Sequence, residues 1–449
     1  MSLTREEVIA YDKQYNLRAW GKGSMEALPV EKADGIYFWD YNGKRYTDMC
    51  SQLICVNLGY GNQELIDAAK EQMELLPYIA PARASGPRSE LAKKLVELAP
   101  DNIARVFFAC GGSDSNEAAI NMARTVTGRQ KIFSMYRSYH GSTLGSGNTS
   151  GDVRRFALER PAAGGFIKFF NPYTYHSPLK FANDQEKSDY YLSLLEEQIL
   201  YEGPDEIAAV IVESVVGANG VLIPPEGYLP GLRALTEKYG ILLICDEVMA
   251  GFYRTGKLFG FMNWGIKPDL ITFAKGITSG YIQLGGVLIS QKVADYYEEH
   301  VFQYGLTYSG HSAACAVGIK SLEIYERLNI GEHVTQVGAV LAERLDELQE
   351  KHACVGQVRH IGLFSALELV KNKETTEPIV PYGKDPQGIM GKIQSLLLER
   401  GFAATGRENN ITVAPPLIIT EEQLNEELDK LDEVLSIVDR KLSENYGFQ

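Results

Sequence analysis

The sequence predicts an α/β protein: a large part built on a mainly parallel sheet covered by helices, and a small α+β part drawn from the N- and C-terminal stretches. Three observations predict it. From about residue 62, helical patterns alternate with short, β-branched runs. Those runs are apolar on consecutive residues, as strands buried on both faces are. The first sixty residues and the stretch beyond about 325 break the alternation. The 449 residues therefore divide into an N-terminal segment that contributes to the small domain (1–60), a large domain (61–325) and a C-terminal small domain (326–449).

Element by element, GIYFWDYNGKRYTDM reads as a hairpin turning at Tyr41-Asn42-Gly43-Lys44, because Asn-Gly supplies the positive φ values of a tight turn. NQELIDAAKEQMELL reads as helix, ARVFFA as strand, SNEAAINMARTVTG as helix and KIFSM as strand. A long polar loop, about 142–180, precedes a helix ending at LLEEQIL, the strand IAAVIVESVV, a helix around LPGLRALTEKYG, and the strands ILLICDE, DLITFA and GGVLIS. In the last part, helices near 332–352, 385–400 and 421–444 flank the strand candidates VGQVRHIGLFSALELV and ITVAPPLII. No period of 20 to 50 residues repeats.

Composition narrows the function. Lys and Arg number 44 against 58 Asp and Glu, a formal charge of −14 spread along the chain, which repels nucleic acid and anionic membrane. The N-terminal stretch lacks a signal peptide's apolar run, and no apolar run approaches the ~18 residues a bilayer requires. Six cysteines lie scattered without metal spacing, the pattern of reduced thiols in a cytoplasmic enzyme with no metal.

Chemistry gathers at the carboxyl ends of the strands, where open α/β sheets bind ligands. Lys275 follows DLITFA directly and precedes a glycine, so a strand carries it to that edge. A lysine there can form a Schiff base once burial or neighbouring charge lowers its pKa. Asp246, ending ILLIC 29 residues earlier, can keep a heterocyclic nitrogen protonated, which pyridoxal phosphate (PLP) requires. Glu213, at the end of IAAVIV, adds an acid on a third strand. Gly111-Gly112-Ser113-Asp114-Ser115 offers backbone N–H groups and a hydroxyl to a phosphate at a helix N-terminus, although Ser113 or Asp114 could simply cap that helix. It matches neither GxxxxGK[ST] nor GxGxxG, so ATP and NAD have little support. Tyr139-His140-Gly141 sets a ring at the same edge. Each of these features has a bland reading as surface, cap or packing; together, on successive strand ends, they are hard to arrange by chance.

The runs FFACGGSDSNEAA, SYHGST, VIVESVVGANG, LLICDEVMAGFYRTG, DLITFAKGI and LTYSGHSAACA resemble the class III (ω) aminotransferases of PLP fold type I, from about Gly35 to the C-terminus. The resemblance implies a transfer of an amino group from an ω- or β-amino donor (a β-amino acid, its thioester or an amine) to a 2-oxo acid such as pyruvate or 2-oxoglutarate. It implies that Lys275 holds PLP and moves the substrate proton, that Asp246 pairs with the ring nitrogen, that Val248 and Tyr139 enclose the ring, and that Gly112 and Ser113 bind the phosphate. By the same resemblance Glu213 lies near the phenolic side, and Thr307 reaches the phosphate of the other subunit in a homodimer or higher homo-oligomer. Arg407 matches the mobile arginine that binds a substrate carboxylate, with Arg83 and Arg88 next in line. Ile54 and Ala82 fall where relatives carry large aromatics, which implies a roomier pocket and a bulky donor tail. The family's Glu-Pro and His-Pro are Glu213-Ser214 and His311-Ser312 here. A PLP aminomutase, racemase or phospholyase on the same fold is the competing reading, and a non-catalytic binding module is a distant third.

Overall fold

Asn42-Gly43 turns the chain as the sequence expects. Strands Tyr37–Asp40 and Arg45–Asp48 pair antiparallel, Gly43 has φ +78°, and Asp40 Oδ1 accepts the N–H groups of Asn42 and Lys44, both at 2.9 Å. The computed structural model describes residues 3–23, 26–159 and 163–443. On one edge of the hairpin lies Val30–Asp34; on the other, Phe402 and Ala403, far along the chain, pair parallel with Thr47 and Asp48.

The central sheet has seven strands: β1 (Ile103–Ala109), β2 (Lys131–Met135), β3 (Phe166–Phe169), β4 (Ile207–Glu213), β5 (Leu242–Asp246), β6 (Leu270–Phe273) and β7 (Gly285–Ser290). Their order is β1-β7-β6-β5-β4-β2-β3, with β7 antiparallel to both neighbours and the pairs from β6 to β3 parallel. Every residue of β4 through β7 is buried, which is why those runs read as continuously apolar rather than alternating. Helix α1 (Gly112–Thr127) lays Asn116, Ala119, Ile120 and Ala123 against the core, one helical stripe at i, i+3, i+4 and i+7.

Two sequence expectations change. The stretch 142–180 is not all loop: it holds short helices Leu144–Thr149 and Arg155–Leu158 and the edge strand β3, which four residues are too few to announce. VGQVRHIGLFSALELV is two strands, Val355–Ile361 and Phe364–Asn372, folded back at Gly362 with φ +58°. They join β8 (Thr405–Arg407) and β9 (Asn410–Val413) in a further sheet, covered by helices Ile330–Lys351, Ile389–Glu399 and Glu421–Ser443. Residue 444, the end of the last expected helix, lies outside the described residues. Among those described, no helix is long and apolar enough to cross a membrane.

Candidate active site

Parallel register aligns the strand ends. Glu213 of β4 stands opposite Asp246 of β5, and Asp246 opposite Thr272 of β6, so the two acids are neighbours on one sheet edge and Lys275 leaves the same edge three residues on. Gly112, Ser113, Tyr139, Glu213, Asp246, Val248 and Lys275 all line one cavity of about 360 Å³.

Lys275 has φ +51°, a left-handed backbone that costs a side-chain-bearing residue on the order of 1 kcal/mol or more and that persists where the surrounding structure imposes it. Its ammonium is pushed below the ordinary lysine range, chiefly by burial and further by the positive charge of Arg154, against the opposing pull of Cys55, Asp246 and Glu213. Asp246 is held on three sides. Oδ1 accepts the Val248 N–H at 3.0 Å, and Oδ2 accepts Asn116 Nδ2 at 2.8 Å and faces His140 Nδ1 at 2.7 Å. Asn116 and His140 thus fix the orientation of Asp246, which lines the cavity.

Glycines shape the other end. A Cβ on Gly112 would stand 2.9 Å from Val248 Cγ1, and one on Gly141 would collide with Ser113 Oγ and Ser146 Oγ. Gly111, Gly112 and Ser113 line the cavity at the head of α1, whose first N–H groups have no partner within their helix. Glu117 holds the adjoining turn by accepting the N–H groups of Gly145 at 2.6 Å and Ser146 at 3.0 Å.

Glu213 accepts the N–H groups of Tyr139 at 2.8 Å and Gly217 at 2.9 Å, yet burial raises its pKa to about 7. The folded state thus keeps a proton that the unfolded chain sheds near 4.5, so this group's contribution to stability falls as pH rises from about 4.5 to 7. Glu213→Gln removes that dependence. Urea unfolding at about pH 5 and about pH 8 should show the variant gaining on the native protein by about 3 kcal/mol across the interval, whatever constant offset the amide introduces. A parallel pair of curves would contradict it.

The remaining expected residues lie elsewhere. Thr307 is exposed, and its carbonyl accepts the Tyr78 hydroxyl at 2.8 Å; it does not line its own chain's cavity. Ile54 is buried in an apolar cluster with Val215, Phe364 and Ala414, against which Met249 of the cavity wall packs. Ala82 is exposed in a turn. Arg88 is spent on the carbonyls of Gly310, Pro81, Arg83 and Ile79. Arg407 ends strand β8 instead of lying in a loop, because Glu408, at φ +51°, and Asn409 make a turn tight enough for β8 and β9 to pair. Its ion pair is with buried Asp152, at 3.6 Å, while the Glu408 carboxylate accepts the Gly383 N–H.

A primary amine, an acid shaped to hold a ring nitrogen, and an N–H-rich glycine cup in one cavity are the donor set that suits PLP: aldehyde, pyridine nitrogen and phosphate each meet the matching chemistry. The Aminotransferase class-III family profile matches residues 19–435. The chain superposes with TM-score 0.96 and 54% identity on a taurine:2-oxoglutarate aminotransferase from Bifidobacterium kashiwanohense, solved in complex with PLP and glutamate, covering 98% of this chain and 100% of that one. An (S)-enantioselective omega-transaminase from Thermomicrobium roseum superposes with TM-score 0.93 and 37% identity, covering 98% and 100%. A taurine–pyruvate aminotransferase of Bilophila wadsworthia is 34% identical over 98% of this chain and 99% of its own. Strand order, site chemistry and these likenesses agree: the chain belongs to the class III aminotransferases, PLP-dependent enzymes of fold type I that pass an amino group from an amino donor to a 2-oxo acid.

Proposed function

We propose that this enzyme takes the amino group from a small acidic β-amino donor, of which taurine is the type, and delivers it to 2-oxoglutarate. The observation that carries the reading is the 54% identity, over essentially the whole of both chains, to the taurine:2-oxoglutarate enzyme. When bound, PLP supplies an aldehyde that captures the amine and an electron-poor ring that accepts charge from the donor carbon. Lys275 holds the cofactor, and its Nζ, whose pKa burial lowers, takes the proton from the carbon bearing nitrogen and later returns one. Asp246 keeps the ring nitrogen charged, with His140 and Asn116 orienting it. Gly112 and Ser113 hold the phosphate, Tyr139 and Val248 flank the ring, and Glu213 lies toward its phenolic side. Arg407 binds the acceptor's carboxylate through a two-pronged pair.

The working unit is a homodimer, Thr307 of a second copy completing the phosphate site. The exposed rings of Tyr78 and Tyr308 beside Thr307, with centroids 5.9 Å apart, support an interface there. Six free cysteines suit the cytoplasm.

A half-reaction test decides the donor. Adding taurine alone should convert the aldehyde form of the cofactor to the amine form, and 2-oxoglutarate should restore it. No spectral change with taurine or β-alanine, alongside full conversion by an uncharged amine, would overturn the donor class. An aminomutase, racemase or phospholyase would show no lasting conversion with donor alone. In the same assay Arg407→Ala should raise the KM for 2-oxoglutarate by about one to two powers of ten, the loss of a charge-assisted pair.

A further inference from the structure

Arg154 does not itself line the cavity; it stacks on a residue that does. Its guanidinium carbon lies 3.3 Å from the centre of the Tyr139 ring, and Tyr139 lines the cavity. Asp152, a wholly buried carboxylate, fixes it: Oδ1 accepts the Arg154 backbone N–H at 2.9 Å, and Oδ2 accepts Nε at 2.8 Å and Nη2 at 2.5 Å. That leaves Nη1 without a hydrogen-bond partner among the described residues, on a side chain only 16% exposed. The same Oδ2 also meets Asn219 Nδ2 at 3.4 Å and Arg407 Nη2 at 3.6 Å. Two guanidinium groups thus share one carboxylate, and the Glu408 carboxylate acts on Arg407 as well.

We propose that Arg154 is the specificity residue for the acid group farthest from the reacting nitrogen, binding the sulfonate of a β-amino sulfonate in one half-reaction and the distal carboxylate of 2-oxoglutarate in the other. The inference deepens the acidic-donor reading above and rests on it. In a β-amino sulfonate the acid lies two carbons from the nitrogen; in glutamate the distal carboxylate lies three carbons away. The flexible substrate chain, not the fixed guanidinium, takes up that one-carbon difference. Asp152 holds Nε and Nη2 in a fixed plane, so the free Nη1 edge is presented without further loss of rotamer freedom. Stacking on Tyr139 fixes the height of the guanidinium relative to the ring that, in the proposed function, flanks the cofactor. Two cations match a dicarboxylate: Arg407 takes the carboxylate next to the oxo carbon and Arg154 the other. Pyruvate has no second acid and gains nothing from Arg154. Burial and the like charge of Arg154 both press the pKa of Arg407 down, a repulsion that a bound anion would relieve.

The experiment uses the purified holoenzyme and its Arg154→Leu and Arg154→Lys variants, with cofactor absorbance and thermal midpoint first establishing that each is folded and loaded. KM is measured for taurine, 2-oxoglutarate, pyruvate and an uncharged amine that the native enzyme accepts. Titration calorimetry with ethanesulfonate, which carries the acid but no amine, reads binding apart from turnover. Arg154→Leu should raise the KM for taurine and for 2-oxoglutarate by about 10- to 100-fold and weaken ethanesulfonate to a similar degree, with pyruvate and the uncharged amine changed by less than about threefold; lysine should restore part of the loss. Unchanged constants for both acids, or an equal loss for all four substrates, would overturn the assignment and leave Arg154 a packing residue. A rise confined to one acid would overturn the shared site. Should native enzyme not react with taurine, the donor reading fails by itself, and the Arg154 dependence of ethanesulfonate and 2-oxoglutarate binding still decides this inference.

Discussion

Lys275→Ala should lower amino transfer by about four powers of ten or more, the largest effect of any single change at this site. Lys275 is the lysine among the cavity-lining residues, and burial already holds its ammonium below the ordinary range. Alanine removes both the covalent anchor and the base, while the glycine cup at the head of α1 and the Asp246 carboxylate stay in place. The variant should therefore still take up cofactor, but borohydride should no longer fix it to the protein, whereas native enzyme should yield one labelled peptide containing Lys275. Partial rescue by a small external amine would show that the missing group is the amine itself. Label on another lysine, or substantial residual turnover, would refute the assignment.

Asp246→Asn should follow, with a fall of about two to four powers of ten in turnover and a much smaller change in cofactor affinity. Oδ2 receives two donors and Oδ1 one, so an amide turns its oxygen to Asn116 and His140 and sets its NH2 against the Val248 N–H. That mismatch adds a stability loss of about 1–3 kcal/mol. The two effects separate by measurement: unfolding reports the lost hydrogen bond, and the rate of the half-reaction in fully loaded protein reports the lost charge. Full activity in a loaded Asp246→Asn enzyme would remove the electron-sink role.

How much of this was legible in the sequence depends on whether a residue's environment is local. Asp246 and Lys275 could be placed because each ends or follows a run apolar on consecutive residues, and such runs enter a sheet buried on both faces. Strand β3, four residues long at the sheet edge, gave no such signal, and helix Ser312–Arg327 gave little, because its first half, Ser312 to Gly318, carries no charged residue to mark a solvent face. Asn116 was readable in principle: it is the polar member of the α1 stripe that otherwise holds Ala119, Ile120 and Ala123, and an amide in such a stripe needs a buried partner. Arg154 was not. It lies in a polar stretch, and only the fold brings Tyr139 and Arg407 to it and to its near neighbour Asp152.

The pairing of Phe402 and Ala403 with Thr47 and Asp48 has a consequence for how the protein is made. Met49 N–H donates to the Ala403 carbonyl, Ala414 N–H to the Met49 carbonyl, and the Thr47 hydroxyl to Glu427, all across more than 350 positions of chain. During vectorial synthesis the early hairpin leaves the ribosome long before its last neighbour exists, and its Arg45–Asp48 edge stays open to other chains until then. The central sheet, whose strands all lie between residues 103 and 290, can assemble in the meantime. Closing so long a loop is entropically slow, so this edge is covered only after residues 402–427 have been made, later than the sheet that carries the chemistry.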